Sequence, residues 1–205
     1  MYECATEVGE AGEEGLRARK RRETRQRIAK AGLRMFLANG FEATTLEMIA
    51  SAANISRRTI FHYFGSKDDI LAVWEDDVRD AFRAAFAEQP KEASPMAVVR
   101  GALLSVASRY ETKQSVAIDR FMRSTEALRA RKWANYERHE RTVFALALAE
   151  RWPNPKQRQA LRMVAMVGAG ALRIAVEEWS ENDYRGQLAT YLRRVFASLP
   201  EQLAG

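Results

Sequence analysis

Residues 44–67 read Thr-Thr-Leu-Glu-Met-Ile-Ala-Ser-Ala-Ala-Asn-Ile-Ser-Arg-Arg-Thr-Ile-Phe-His-Tyr-Phe-Gly-Ser-Lys. This stretch predicts two short helices joined by a tight turn. Thr44 followed by Glu47 has capping-box spacing, so a helix is expected to start there. Leu46, Ile49, Ala50 and Ala53 recur at helical spacing and give it one apolar face. Asn54 falls where the chain must turn, and Asn tolerates the left-handed conformation better than most residues with a side chain. Ile55 returns to the core, and Ser56 is placed to cap the next helix.

That second helix, from Arg57 to about Tyr63, carries arginines in its first turn. The helix dipole favours acids there, so each arginine costs a few tenths of a kcal/mol. On an ordinary helix they mark a solvated face. In the order cap, turn, cap, Arg pair they mark a helix-turn-helix, whose second helix puts its N-terminal residues into the DNA major groove.

Charge supports the second reading. The chain of 205 residues has a net charge of +6, unevenly placed. Residues 1–16 sum to −5, residues 17–67 to +9 and residues 68–205 to +2. The excess lies around the proposed reading head, as a phosphate-binding footprint requires.

The run from about Thr24 to Leu71, roughly a quarter of the chain, resembles the DNA-binding domain of the tetracycline-repressor (TetR) family. The carriers are Thr-Thr-Leu-Glu-Met-Ile-Ala, Ala-Asn-Ile-Ser-Arg-Arg-Thr-Ile-Phe-His-Tyr-Phe and Ser-Lys-Asp-Asp-Ile-Leu. The sequence departs at Asn54, where the family usually has Gly, and at Phe61, where it has Tyr. The second change removes a hydroxyl that often reaches DNA in the family, and Tyr63 is the candidate to replace it.

The resemblance implies an all-α protein. A three-helix DNA-binding domain (residues 23–67) would precede a helical ligand-binding and dimerisation domain (68–205), after a disordered arm (1–22). The basic run Arg17, Arg19, Lys20, Arg21, Arg22 in that arm is either solvated or touches phosphates. Arg57, Arg58 and Thr59 are the expected base contacts. Thr45, His62, Tyr63 and Lys67 are the expected phosphate contacts, Lys67 because the family's matching lysine approaches a phosphate.

Helical periodicity predicts the remaining elements. One helix runs from Thr24 to Asn39 with Gly40 as its stop, and another from Lys67 to about Ala87, capped by Ser66. Segments 96–111, 115–124, 126–151, 156–179 and 184–198 follow. No alternating run is long enough for a sheet. Residues 156–179 are apolar nearly all round, which predicts burial on several sides. Gly168 and Gly170 cost about 1 kcal/mol each in a helix interior, so close approach of another helix is expected. In the family the last two long helices pair with their copies in a second subunit, which implies a homodimer on a palindromic operator.

Phe86, Tyr110, Phe121, Met122, Trp133, Tyr136 and Met166 fall on the helices of the second domain. Most such residues form core, but helical bundles with this content also line apolar cavities. In the family that cavity holds an inducer. Arg123, one of the basic residues between 120 and 132, is the candidate partner for an anionic group. The overall run is similar to a family branch associated with acyl-coenzyme A-like ligands. The alternative is a dimeric DNA-binding protein without small-molecule control.

Other classes find little support. His139 has no second histidine or nucleophile paired with it, so no catalytic residues are expected. His62, His139 and Cys4 do not make a structural zinc site, and no cofactor is expected. The single cysteine fits a reducing cytoplasm. No signal peptide or transmembrane run is expected.

Overall fold

The computed structural model describes residues 7–141 and 145–199, and every regular element among them is helical. They are α1 (Glu7–Asn39), α2 (Leu46–Ala52), α3 (Arg57–Tyr63), α4 (Lys67–Ala87), α5 (Pro95–Tyr110), α6 (Lys113–Met122), α7 (Glu126–His139), α8 (Ala145–Arg151), α9 (Arg158–Glu181) and α10 (Leu188–Ala197). The chain divides into two compact units, residues 1–76 and 77–205. Cys4, weighed above, lies outside the described residues.

Five helices open on a Ser or Thr whose side chain accepts a backbone N–H of the first turn: Thr45, Ser56, Ser94, Thr112 and Thr125. These caps satisfy donors that have no partner within the helix. At α4 the capping is reciprocal. Ser66 Oγ accepts from Asp69 N at 3.2 Å, while Asp69 Oδ2 accepts from Ser66 N at 2.9 Å.

The start of α2 differs by one residue from expectation. Thr45 is the cap, accepting from Met48 N at 3.2 Å. Thr44 is buried, and its hydroxyl lies 2.7 Å from Gly40 O and 3.2 Å from Met35 O. A buried hydroxyl needs acceptors, and the carbonyls at the end of α1 supply them. Asn54 turns the chain with φ 54°, the left-handed conformation expected of it.

The core of unit 1 is Ile28, Leu33, Phe36, Ile49, Ile60, Phe64, Ile70 and Leu71. Gly32 allows α1 to approach α4 closely, since a Cβ there would meet Ile70 Cγ2 at 2.7 Å. The helix α1 starts at Glu7, where the sequence reading expects disorder to about residue 20. Residues 7–22 are mostly strong helix formers, and acids precede bases along them, which suits the dipole. Arg19 and Glu23 form an i,i+4 ion pair at 3.5 Å, in the reverse order of base before acid.

In unit 2, α5, α9 and α10 pack against one another. Val99, Leu103, Leu172, Ala175, Val176, Leu188 and Leu192 form the centre of its core. Within the predicted helix 126–151, the described residues are helical and include α7 and α8. The predicted start of the last helix at Tyr184 is displaced. Asp183, Tyr184 and Gly186 have φ values of 52°, 58° and 74°, so the chain turns there and α10 begins at Leu188. The turn is pinned by Trp179, whose indole N–H donates to Gly186 O at 3.0 Å.

By length and composition, residues 155–181 qualify as a membrane-crossing helix, against the expectation of none. Yet α9 buries Leu161, Ala165, Gly168, Ala169, Leu172, Ala175, Val176 and Trp179, which accounts for much of that apolarity as protein core. Its other face is exposed, rather than buried on several sides. Met163, Met166 and Ile174 are 54%, 46% and 40% exposed, and a Cβ at Gly170 would meet nothing within 4 Å. Positions 163, 166, 170 and 174 lie along one stripe of the helix.

Candidate nucleic-acid interface

The reading helix α3 is seven residues long, too short to be stable alone. Its inner side is fixed by Ile60 and the following Phe64, both buried. Ser56 Oγ accepts from Thr59 N at 3.0 Å and lies 2.7 Å from Thr59 Oγ1. Arg57, Arg58, Phe61 and His62 are left on the outer side, all exposed, with Tyr63 half-buried.

Arg57 and Lys67 have partners that orient them. Arg57 Nε pairs with Glu47 Oε1 at 3.2 Å, and its guanidinium lies 5.7 Å from the centre of the Phe61 ring. Phe61 thus shapes the cationic face. His62 and Tyr63 meet edge to face with centroids 5.3 Å apart. Lys67 lies at the start of α4. Its ammonium donates to Phe41 O at 2.7 Å and Glu42 O at 3.3 Å, and sits 4.4 Å from the Phe41 ring centre. It therefore ties the loop after α1 to the start of α4. Thr45 is exposed and its hydroxyl caps α2.

The residues expected to line an effector site are not all brought together. In unit 2, Phe86, Phe121 and Met122 are buried, and Tyr110 and Tyr136 pack against the core. Trp133 is 53% exposed and lies under the Arg173 guanidinium, 4.6 Å from its ring centre. Met166 is on the exposed stripe of α9. Spacing places both on helices but does not say which face is covered.

Sequence reading missed the polar centre of unit 2. Asp119 Oδ2 accepts from Arg123 Nε at 2.6 Å and from the Tyr184 hydroxyl at 2.8 Å. Its other oxygen, Oδ1, lies 2.6 Å from Lys132 Nζ. One carboxylate thus joins α6, α7 and the turn after α9. Burial pushes the Asp119 carboxyl up, but Lys132 and then Arg123 outweigh it, and the net shift is below its ordinary value. Burial lowers the Lys132 ammonium, and Asp119 only partly restores it. Burial, helped by Asp119, raises the Tyr110 and Tyr136 phenols. Tyr184 is raised to about 12 by burial and by its bond to Asp119. The i,i+4 pair Asp119–Arg123 was visible in the sequence; Lys132 and Tyr184 join it only in space.

A separate cavity of about 300 Å³ lies between α5 and α10, lined by Met96, Arg100, Leu104, Phe196 and Leu199. It contains none of the expected effector residues.

A capped two-helix head with an exposed cationic helix on one unit, and a helical bundle as the other, define a helix-turn-helix regulator. Residues 28–73 match the family described as bacterial regulatory proteins, tetR family, and residues 93–204 match the MftR C-terminal domain. The chain belongs to the TetR family of bacterial transcriptional regulators. It is 35% identical over 105 residues to the regulator TcmR of Streptomyces glaucescens, covering 51% of this chain and 46% of that protein. It is 31% identical over 116 residues to the repressor AcnR of Corynebacterium glutamicum, covering 56% of this chain and 58% of that one. The matches span about half the length of these relatives. The fold is similar to FadR of Bacillus subtilis in complex with stearoyl-CoA, with a TM-score of 0.58, 18% identity, and coverage of 83% of this chain and 94% of that one. It is also similar to a SmeT–triclosan complex, with a TM-score of 0.57, 20% identity, and coverage of 88% and 94%. TcmR, AcnR and FadR are transcriptional regulators, not enzymes.

Proposed function

We propose that this protein is a repressor that binds a palindromic operator as a homodimer and is released by an apolar or amphipathic small molecule. The observation that carries it is the outer side of α3, where Arg57 and Arg58 are exposed on a helix fixed from beneath by Ile60 and Phe64. Such a helix enters a major groove with its first turn foremost. Arg57, Arg58 and Thr59 take the base edges; Thr45, His62, Tyr63 and Lys67 hold phosphates. The exposed stripe of α9 supports the dimer. The outward residues of α10 include Thr190, Arg193 and Arg194, so α9 supplies the apolar part of the contact. The effector enters among α5, α6 and α7, near Phe86, Tyr110, Phe121, Met122, Arg123 and Tyr136. Solved neighbours with stearoyl-CoA and triclosan support an effector of this kind. Helix α4 runs across the division between the units and is the lever.

The test is a gel shift with the DNA flanking its own gene, repeated against a panel of small molecules. Specific binding lost on adding a compound supports the reading. Binding that no compound affects favours a dimeric DNA-binding protein without such control.

Arg57→Ala and Arg58→Ala each weaken specific operator binding by about 1–3 kcal/mol if bidentate to guanine. Equal losses on operator and random DNA would remove them from base reading. Lys67→Ala weakens all sequences alike and lowers the salt slope by about one phosphate. An unchanged slope with a lower melting temperature would confine Lys67 to tying Phe41 and Glu42 to α4.

A further inference from the structure

The Asp119 cluster has a donor left over. An arginine pairs most fully with a carboxylate when two parallel N–H groups meet both oxygens. Asp119 offers Arg123 only Oδ2, at Nε, because Oδ1 lies against Lys132 Nζ. The buried Nη2 of Arg123 has no hydrogen-bond partner among the described residues. Charge tells the same story. Of the acids around it, Asp183 is answered by Arg120 at 2.7 Å and Glu177 by Arg173 at 3.7 Å. Asp119 is shared between two cations, Arg123 and Lys132, and Glu177, besides pairing with Arg173, acts on Lys132 from farther away. Two cations on one carboxylate leave one positive charge in excess, with Lys132 beside the Tyr136 ring.

We infer that this cluster is the head-group subsite of the effector, and that it takes a carboxylate: a monoanion at Arg123 Nη2 and Lys132, with its apolar body along Tyr110, Tyr136 and Phe121. The inference rests on the effector reading above and adds the chemical class. Asp119 acts as the internal counterion that keeps both cations charged and in place. Lys132, lowered by burial, gains a second anion when the effector binds. A neutral compound of the same body leaves Nη2 as it is, and a cationic one is repelled.

Full-length protein is titrated by calorimetry with benzoate and decanoate, and in parallel with benzyl alcohol and decanol. At least one carboxylate binds about tenfold or more tighter than its alcohol, the worth of one charge-assisted hydrogen bond. Arg123→Lys, which keeps the charge but has no Nη2, erases that difference; Arg123→Gln does the same if the lysine fails to fold, as checked by circular dichroism. Alcohols binding as well as carboxylates, or no carboxylate binding, would overturn the inference, as would an unchanged preference in both variants. Gel shifts separate the two readings. Alcohols that release the operator while carboxylates do not would sink the carboxylate subsite and leave effector control standing. Carboxylates that bind through Arg123 without releasing DNA would leave the subsite standing and sink effector control.

Discussion

Asp119→Ala is expected to destabilise the protein by about 3–5 kcal/mol, the cost of leaving buried cations without their anion. The Asp119 and Lys132 side chains are each 16% exposed, and Asp119 also accepts from Tyr184. Removing the carboxylate takes a partner from Arg123, Lys132 and Tyr184 at once. In a chain of this size the melting temperature should fall by on the order of 10 °C. The wild type should show the same dependence on pH. Because the folded Asp119 carboxyl lies below its ordinary value, its contribution is fully present above the unfolded carboxylate range. It is lost as pH falls through the folded value, and the variant should lack that acid-sensitive component. A melting temperature within about 2 °C of wild type would mean the two cations find other partners.

Gly170→Arg is expected to give a folded monomer with operator affinity lowered by about 10²–10⁴-fold, the range by which linked binding sites reinforce each other. Gly170 lies on the exposed stripe with Met163, Met166 and Ile174, and the space beside it is open. An arginine there does not disturb the protomer's own core, although leaving glycine costs the stripe its close approach. Gly168, the other glycine of the pair, is buried within unit 2, so its replacement would unfold the chain rather than report on assembly. Sedimentation and a melting curve check this together. A Gly170→Arg protein that stays dimeric would move the interface off α9.

The cap at Ser56, the turn at Asn54 and the Arg pair at the start of α3 were legible from residues 44–67 because each is a local matter. A cap bonds three residues away, a left-handed turn concerns one residue, and a helix of known phase shows which side is apolar. The all-α class was legible for the same reason. Only tertiary structure decided that Thr44 closes α1 while Thr45 opens α2, since the deciding acceptors, Met35 O and Gly40 O, lie in the last turn of the preceding helix and just past its end. It also decided that Trp133 and Met166 face outward, because an apolar side chain has the same spacing whether its neighbour covers it or not. Most of all, it decided the Asp119 site. Three of its four groups stand on different helices or turns, and no period along the chain records that Lys132 Nζ and the Tyr184 hydroxyl converge on one carboxylate. Sequence spacing fixes what is near in a helix; what meets across helices is fixed by packing.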